Sequence, residues 1–181
     1  MIIMDINALI EEALDSGFNH AAELRAETLR FLPEVREMCS ADRCHSYNKN
    51  WVCPPACGTL EECSARASGF SHGIIVQSEC ELEDSFDFET MQALERRHQK
   101  NFEKLASRLR ERYPGLLALG AGGCTFCEKC TYPDAPCRFP DRAISSMEAN
   151  GLWVSEVCER NHIPYNYGPN HMAYTSCILV E

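Results

Sequence analysis

Four cysteines lie close together in a stretch of the sequence that begins with glycines. They are Cys124, Cys127, Cys130 and Cys137, inside GAGGCTFCEKCTYPDAPCRFP, which we name the C-terminal cysteine loop (residues 120–140). The first three are separated by two residues each, a spacing at which a tight loop can turn several thiolates towards one iron–sulfur cubane. The six-residue gap before the last cysteine is long enough for it to return to the same cluster. The pattern predicts one [4Fe–4S] cluster with four thiolate ligands.

Zinc is the alternative metal for this loop. Structural zinc usually takes two separated Cys-x2-Cys pairs or mixed Cys/His sets, and three cysteines at this spacing fit one tetrahedral ion less well. The histidines of the chain form no spaced pair of the kind found in catalytic zinc sites. Iron–sulfur is therefore the first expectation, and zinc stays open.

A second group of cysteines lies in a polar, proline-bearing stretch that we name the N-terminal cysteine loop (residues 39–63). Its candidate ligands are Cys39, Cys44, Cys53 and Cys57, with Cys63 as a substitute for Cys57. The spacing matches no single familiar site, but four thiols within a short aperiodic loop favour a second metal site. Trp51 and Tyr47 are expected to shield it from water. His45 is expected to be solvated.

The other three cysteines are expected to be ordinary core residues. Cys80 ends a predicted strand, Cys158 lies on the apolar side of a predicted helix, and Cys177 alternates into the last predicted strand. A free cysteine packs as a small hydrophobic residue. The sequence has no phosphate-binding glycine loop and no nucleophile elbow, so no catalytic residue is predicted.

Composition limits the class of protein and its partners. The chain has 181 residues and a net charge of −10, so neither a nucleic acid nor an anionic membrane surface is an expected partner. No apolar run is long enough to cross a membrane. Twelve cysteines fit either a secreted scaffold with six disulfides or an intracellular metal protein. Acidic residues interrupt the N-terminal apolar residues, which argues against a secretion signal and predicts a cytoplasmic protein.

Hydrophobic periodicity predicts the elements that must hold these loops. Helices are predicted over residues 5–17, 20–32, 59–69, 87–113 and 145–161, the last with Gly151 as a weak point, and strands over 72–79, 116–122 and 171–180. This order predicts an α/β protein, with α+β as the alternative, built on about three to four strands with packed helices. One domain is expected over 1–181, with N-terminal helices in 1–38 and the C-terminal cysteine loop carried by a core in 72–181.

The two cysteine loops together resemble a known family. CHSYNKNWVCPPACGTLEEC, LGAGGCTFCEKCTYPDAPCRFPDRAISSMEANG and the ending YNYGPNHMAYTSCILV are similar to the predicted metal-binding proteins of domain of unknown function 2284. The resemblance covers about residues 39–180. It implies metal binding by Cys39, Cys44, Cys53, Cys124, Cys127, Cys130 and Cys137. It does not extend to Cys57, which raises Cys63 as a ligand, and it implies no reaction.

The expected function is that of an iron–sulfur protein with one or two [4Fe–4S] clusters. It would carry electrons or assist a redox enzyme in anaerobic metabolism, and its acidic surface would dock on a protein redox partner. Nothing in the sequence favours a stand-alone enzyme. The alternatives are a zinc-stabilised binding module, a metal or cofactor chaperone, and an enzyme with an open iron site.

Overall fold

The computed structural model describes residues 5–181, which contain five α-helices and one four-stranded sheet. The helices are α1 (Ile6–Asp15), α2 (Pro33–Ser40), α3 (Leu60–Ala67), α4 (Phe88–Arg112) and α5 (Val154–Arg160). The strands are β1 (His20–Arg25), β2 (His72–Glu81), β3 (Leu117–Leu119) and β4 (His171–Val180). Their spatial order is β1-β2-β4-β3, with every neighbouring pair antiparallel. The predicted small sheet with packed helices is confirmed, and the antiparallel pairing makes the fold α+β.

Strand β1 shows that the helix predicted over residues 20–32 was wrong. All six residues of β1 pair antiparallel with β2. Of the leucines that suggested a helical stripe, Leu24 is buried against the sheet, whereas Leu29 and Leu32 lie in the connection to α2. The backbone groups on this side of the buried strand β2 need partners, and β1 supplies them. This long-range pairing outweighs the local helix pattern.

The helix predicted over residues 145–161 forms as two separate pieces. A short 3-10 turn spans Glu148–Asn150, and α5 begins at Val154. Gly151 lies between them with a φ of 90°, a left-handed conformation that ends a helix and that residues with a side chain rarely adopt. The predicted weak point is therefore the break itself.

The remaining predicted elements are present. Helix α3 begins with the predicted capping box. Glu62 N donates to the Thr59 hydroxyl, and Thr59 N donates to the Glu62 carboxylate. Helix α4, the longest, runs for 25 residues. Within residues 5–181, neither it nor any other helix combines the length and the apolar character needed to cross a membrane.

Helices cover both faces of the sheet. On one face, Ile74 and Val76 of β2 pack with Leu105 of α4 and with residues of α1. On the other face, Cys158 of α5 and Cys177 of β4 are fully buried in a second apolar cluster. Burial raises the pKa values of both thiols well above that of an exposed cysteine, so they stay protonated. Both are core residues, as predicted, whereas Cys80 near the end of β2 is only partly buried and belongs to neither apolar cluster.

One titratable side chain is enclosed between α4 and the sheet. His98 is fully buried, with Nδ1 2.9 Å from Ser78 Oγ and Nε2 2.7 Å from Ser176 Oγ. Each ring nitrogen thus has a hydroxyl partner, one nitrogen donating and the other accepting. Burial lowers the pKa of His98 to about 3, which keeps the ring neutral.

Acid is expected to destabilise the protein through His98. In the unfolded chain the imidazole takes up a proton near its ordinary pKa of about 6.5, whereas the folded protein resists protonation down to about 3. The free energy of unfolding should therefore fall as the pH drops below about 6.5, by up to roughly 1.4 kcal/mol per pH unit from this group. Urea unfolding between pH 7 and pH 5 measures the slope.

The control for this slope is His98→Gln, which keeps one hydrogen-bond donor and one acceptor but does not titrate. Its free energy of unfolding should lack the part of the pH slope that His98 contributes. Equal slopes for the variant and the wild type would show that the buried histidine is not the cause.

Candidate metal centre

The C-terminal cysteine loop follows β3 and gathers the four cysteines predicted as one site. Cys124, Cys127, Cys130 and Cys137 line the same small cavity. Burial raises the pKa of the Cys124 thiol, and the charges of the other three cysteines raise it further. The four thiols are thus electrostatic neighbours, although they are spread over 14 residues of chain (124–137).

The sulfurs do not form a closed coordination shell. Among residues 5–181, no three His, Cys, Asp or Glu side chains converge on a point where one metal ion could bind. All twelve cysteines are free thiols. The cavity has a volume of about 30 Å³, close to the share of one water molecule in the liquid. A cavity of this size does not hold a cubane unless the loop opens.

The loop is free to open because it lies outside the hydrophobic core. None of residues 121–144 is buried. Its shape is set by local contacts: Ala135 N donates to Thr131 O at 3.0 Å, and Thr131 Oγ1 donates to Pro136 O at 2.8 Å. Opening of this segment would therefore break contacts with the N-terminal cysteine loop but no core packing. The four thiols and the loop that carries them therefore fit either an iron–sulfur cluster or zinc.

Aromatic side chains enclose the cavity of the C-terminal cysteine loop. Phe126 and Phe139 come from the loop itself, and Trp51 comes from the N-terminal cysteine loop. Trp51 Nε1 donates to Ala135 O at 3.1 Å, and its ring meets that of Tyr132 edge-on with centroids 4.9 Å apart. Trp51 was expected to shield the cysteines of the N-terminal cysteine loop, but it covers those of the C-terminal cysteine loop.

The N-terminal cysteine loop divides its candidate ligands into two sets. Cys39, at the end of α2, belongs with Cys44 and Cys53. Burial raises the pKa of Cys39, and the charges of Cys44 and Cys53 raise it further. Burial also raises the pKa of Cys53, and Cys44 adds to the rise. Three of the four predicted ligands thus lie together.

Tight turns hold these three cysteines in place. Asp42, His45 and Asn48 have φ values of 52°, 57° and 56°, in the left-handed region where short polar side chains are most easily accommodated. The Asp42 carboxylate accepts hydrogen bonds from Tyr47 N at 2.9 Å and from Lys49 Nζ at 2.7 Å. His45 is exposed, as predicted.

Cys57 and Cys63 form a separate pair. Cys63 is buried, and its Sγ accepts hydrogen bonds from Arg66 Nη2 at 3.1 Å and from Arg36 Nη1 at 3.6 Å. The Cys57 thiol donates to Ala149 O at 3.5 Å, and the Cys63 thiol lies 4.0 Å from Cys57 O. The side-chain contact with Cys57, together with the two guanidinium groups, lowers the pKa of Cys63. The same contact raises the pKa of Cys57. The fourth ligand predicted for the N-terminal cysteine loop was Cys57 or its substitute Cys63. Both residues therefore lie together in a separate hydrogen-bonded pair.

The arginines of this pair were missed in the sequence. Arg36 Nη2 donates to Gly58 O at 2.8 Å, and Arg66 Nη2 donates to Cys57 O at 2.9 Å. Arginines on short amphipathic helices usually belong to a solvated face, so the sequence contains no signal for this role. Arg66 lies one turn after Cys63 on α3, whereas Arg36 comes from α2, and both helices pack on the 3-10 turn Glu148–Asn150.

The two cysteine loops pack against each other. Ser145 Oγ donates to Val52 O at 2.6 Å, and Tyr132 OH donates to Asn48 Oδ1 at 2.6 Å. The charge of Cys124 also contributes to the raised pKa of Cys53, after the larger effect of burial. The two thiol groups therefore lie within electrostatic reach of each other.

The fold and this centre define an α+β protein with a cysteine-rich candidate metal site. A sequence model of the family described as predicted metal-binding protein (DUF2284) matches residues 22–180, so the chain belongs to this family. The resemblance carried by the two cysteine loops is thereby confirmed, and the chain is a predicted metal-binding protein. Comparison with curated proteins and with solved structures found no match.

Proposed function

We propose that this protein carries electrons through a [4Fe–4S] cluster bound by Cys124, Cys127, Cys130 and Cys137. The observation that carries the proposal is that these four thiols line one cavity, in a loop that can open without disturbing the core. Their spacing favours a cluster over a single tetrahedral ion. When bound, such a cluster supplies reversible one-electron chemistry.

The surrounding side chains have a defined part in this proposal. The four thiolates hold the cluster, and Trp51, Phe126 and Phe139 keep water away from it. Exclusion of water and hydrogen bonds to sulfur are the means by which a protein adjusts the reduction potential of a cluster. Trp51 joins the two loops, so the same residue shields one thiol group while anchoring the other.

A second centre at Cys39, Cys44 and Cys53 completes the proposal. These three thiols are neighbours, and Cys53 lies within electrostatic reach of Cys124. Two adjoining clusters would let an electron pass from one centre to the other inside a single domain. With three protein thiolates, one iron of this second cluster would be left for a ligand that does not come from these cysteines.

The proposed partner is a redox protein with a basic surface. Residues 79–89 carry six acidic side chains, and among them Phe86 and Phe88 are 75% and 61% exposed. An apolar pair rimmed by charge is typical of a protein interaction site. Helix α4 begins beside this patch and reaches the C-terminal cysteine loop through Gln99 Nε2, which donates to Ala121 O at 3.0 Å. The patch is thus connected to the C-terminal cysteine loop by about three turns of α4, and acidic charge would speed docking.

Anaerobic purification with iron, sulfide and zinc counted per chain tests the proposal. One cubane contributes about four iron and four sulfide, and two contribute about eight of each. The protein should be brown and should lose its visible absorption reversibly on reduction by dithionite. A colourless protein with zinc and no sulfide would contradict the proposal.

The same measurement on two variants tests the second centre. Cys44→Ala should lower the iron content by about four per chain, because it removes one of the three neighbouring thiols. Cys57→Ala is the matched control and should leave the iron content unchanged, because the Cys57 thiol donates to Ala149 O and lies beside Cys63 instead. Equal loss of iron in both variants would make Cys57 a ligand.

A zinc-stabilised binding module is the second candidate, and the size of the cavity favours it. A volume of about 30 Å³ is closer to the size of a single ion than to that of a cubane. In that case one zinc per chain should bind without sulfide, and its removal by a chelator should unfold the loop.

A further inference from the structure

A large cavity lies where the two cysteine loops meet the edge of the sheet. Its volume is about 700 Å³, within the range of about 300–1,000 Å³ that is typical of small-molecule sites. One wall is β3, which ends the sheet and pairs only with β4 among the strands of residues 5–181. The other walls come from the end of α4 and from both cysteine loops. The family description assigns no ligand to this place.

The walls of this cavity are mainly apolar. Leu117 and Leu119 of β3 line one side, and Trp51, Pro133 and Pro136 line the side formed by the loops. Ligand sites in proteins are lined mostly by hydrophobic and aromatic side chains, with a few polar groups that fix the orientation of the ligand. An apolar body of several carbon atoms therefore matches these walls.

Two arginines supply the charge in this cavity. Arg66 is held in place by its bonds to Cys57 O, Cys63 Sγ and Asn150 Oδ1, at 2.9, 3.1 and 3.3 Å. Asp134 is the acidic residue of the lining, and it is exposed. The cavity wall is therefore net positive, in a protein whose net charge is −10.

Arg110, the second arginine, lacks a close acidic partner. It is half-buried in the last turn of α4 and forms no hydrogen bond or ion pair that the structure records with any of residues 5–181. Burial lowers its pKa, and Asp141 opposes that effect only through its charge. A guanidinium that has lost part of its hydration without gaining a carboxylate is costly, and a bound anion would offset that cost.

We propose that this cavity binds a small organic acid with an apolar body, whose carboxylate pairs with Arg110 and whose body lies against β3 and Trp51. A guanidinium binds a carboxylate through two parallel hydrogen bonds, which fixes the orientation of the acid. Cys57 and Cys137 also line the cavity, so the acid would lie beside both cysteine loops. The proposal holds whichever metal those loops bind.

Isothermal titration calorimetry under anaerobic conditions, on the full metal-loaded chain as purified, tests this site. The probe is 2-naphthoate, and its neutral counterpart is 2-naphthalenemethanol. The acid should bind saturably with one molecule per chain, and the alcohol should bind at least about tenfold more weakly, because it cannot pair with the guanidinium. No saturable binding of the acid, or equal affinity for the two compounds, would overturn the proposal.

Three variants locate the binding. Arg110→Gln should weaken the binding of 2-naphthoate at least about tenfold. Lys104→Gln removes the same charge from an exposed position of α4 outside the cavity, and its affinity should stay within about twofold of the wild type. Ala135→Trp, which fills the cavity from an exposed position and so spares the core, should weaken binding as well. Unchanged affinity in both Arg110→Gln and Ala135→Trp would place the acid elsewhere.

Discussion

Replacement of Cys137 by alanine is expected to lower the iron content of the anaerobically purified protein by about four per chain. Cys137 follows Cys130 after six residues, and the chain folds back so that both thiols line one cavity with Cys124 and Cys127. The proposed cluster would lose its fourth thiolate and, with it, part of the free energy that holds the loop. Iron and sulfide counts, with visible and electron paramagnetic resonance spectra, measure the loss.

Cys80→Ala is the matched control for this variant. It makes the same chemical change in a half-buried cysteine at the end of β2, outside both cysteine loops. Its iron and sulfide contents should equal those of the wild type. If Cys137→Ala also keeps its full iron content, then Cys137 is not the fourth ligand.

The largest effect on stability is expected from Gly73→Ala. Gly73 lies in β2, between Leu24 of β1 and Leu179 of β4. A Cβ atom at this position would lie 2.1 Å from the backbone oxygen of Ile178 and 3.0 Å from Leu179 Cα. Because these are backbone atoms of a paired central strand, they cannot turn aside as a side chain can. The free energy of unfolding should fall by about 3 kcal/mol or more.

Gly115→Ala provides the comparison for this substitution. Gly115 lies in the connection between α4 and β3, and an added Cβ would meet no atom within 4 Å. Its free energy of unfolding should stay within about 0.5 kcal/mol of the wild type. Urea unfolding of both variants measures the difference. Similar free energies of unfolding for the two would show that the contact with β4 does not exclude a side chain at position 73.

Elements with strong local signals could be predicted from the sequence. Helix α1, the capping box of α3 and the periodic helix α4 depend on residues close to one another along the chain, as does the strand β4. The break at Gly151 was visible as a weak point because a glycine needs no distant partner to adopt a positive φ. Strand β1 could not be predicted, since its pairing partner β2 lies about 50 residues further along the chain.

For the cysteines, too, local spacing predicted one part of the arrangement and the tertiary structure decided the other. The spacing of Cys124, Cys127, Cys130 and Cys137 determined by itself that these thiols can reach one site, because a short loop limits how far apart they can lie. Only the tertiary structure separated Cys57 and Cys63 from Cys39, Cys44 and Cys53. Arg36 and Arg66 contribute to that division: Arg66 reaches Cys63 from the next turn of α3, whereas Arg36 reaches it from α2 and so depends on the tertiary structure.

The sequence by itself thus determined the family, the helices α1, α3 and α4, three of the four strands and the four cysteines of the C-terminal loop. The tertiary structure decided that the two groups lie side by side and that a cavity with two arginines opens between them. The physical reason is the range of the interactions. Helix caps, turns and ligand spacing act over a few residues, whereas packing joins Val52 to Ser145 across more than half of the chain.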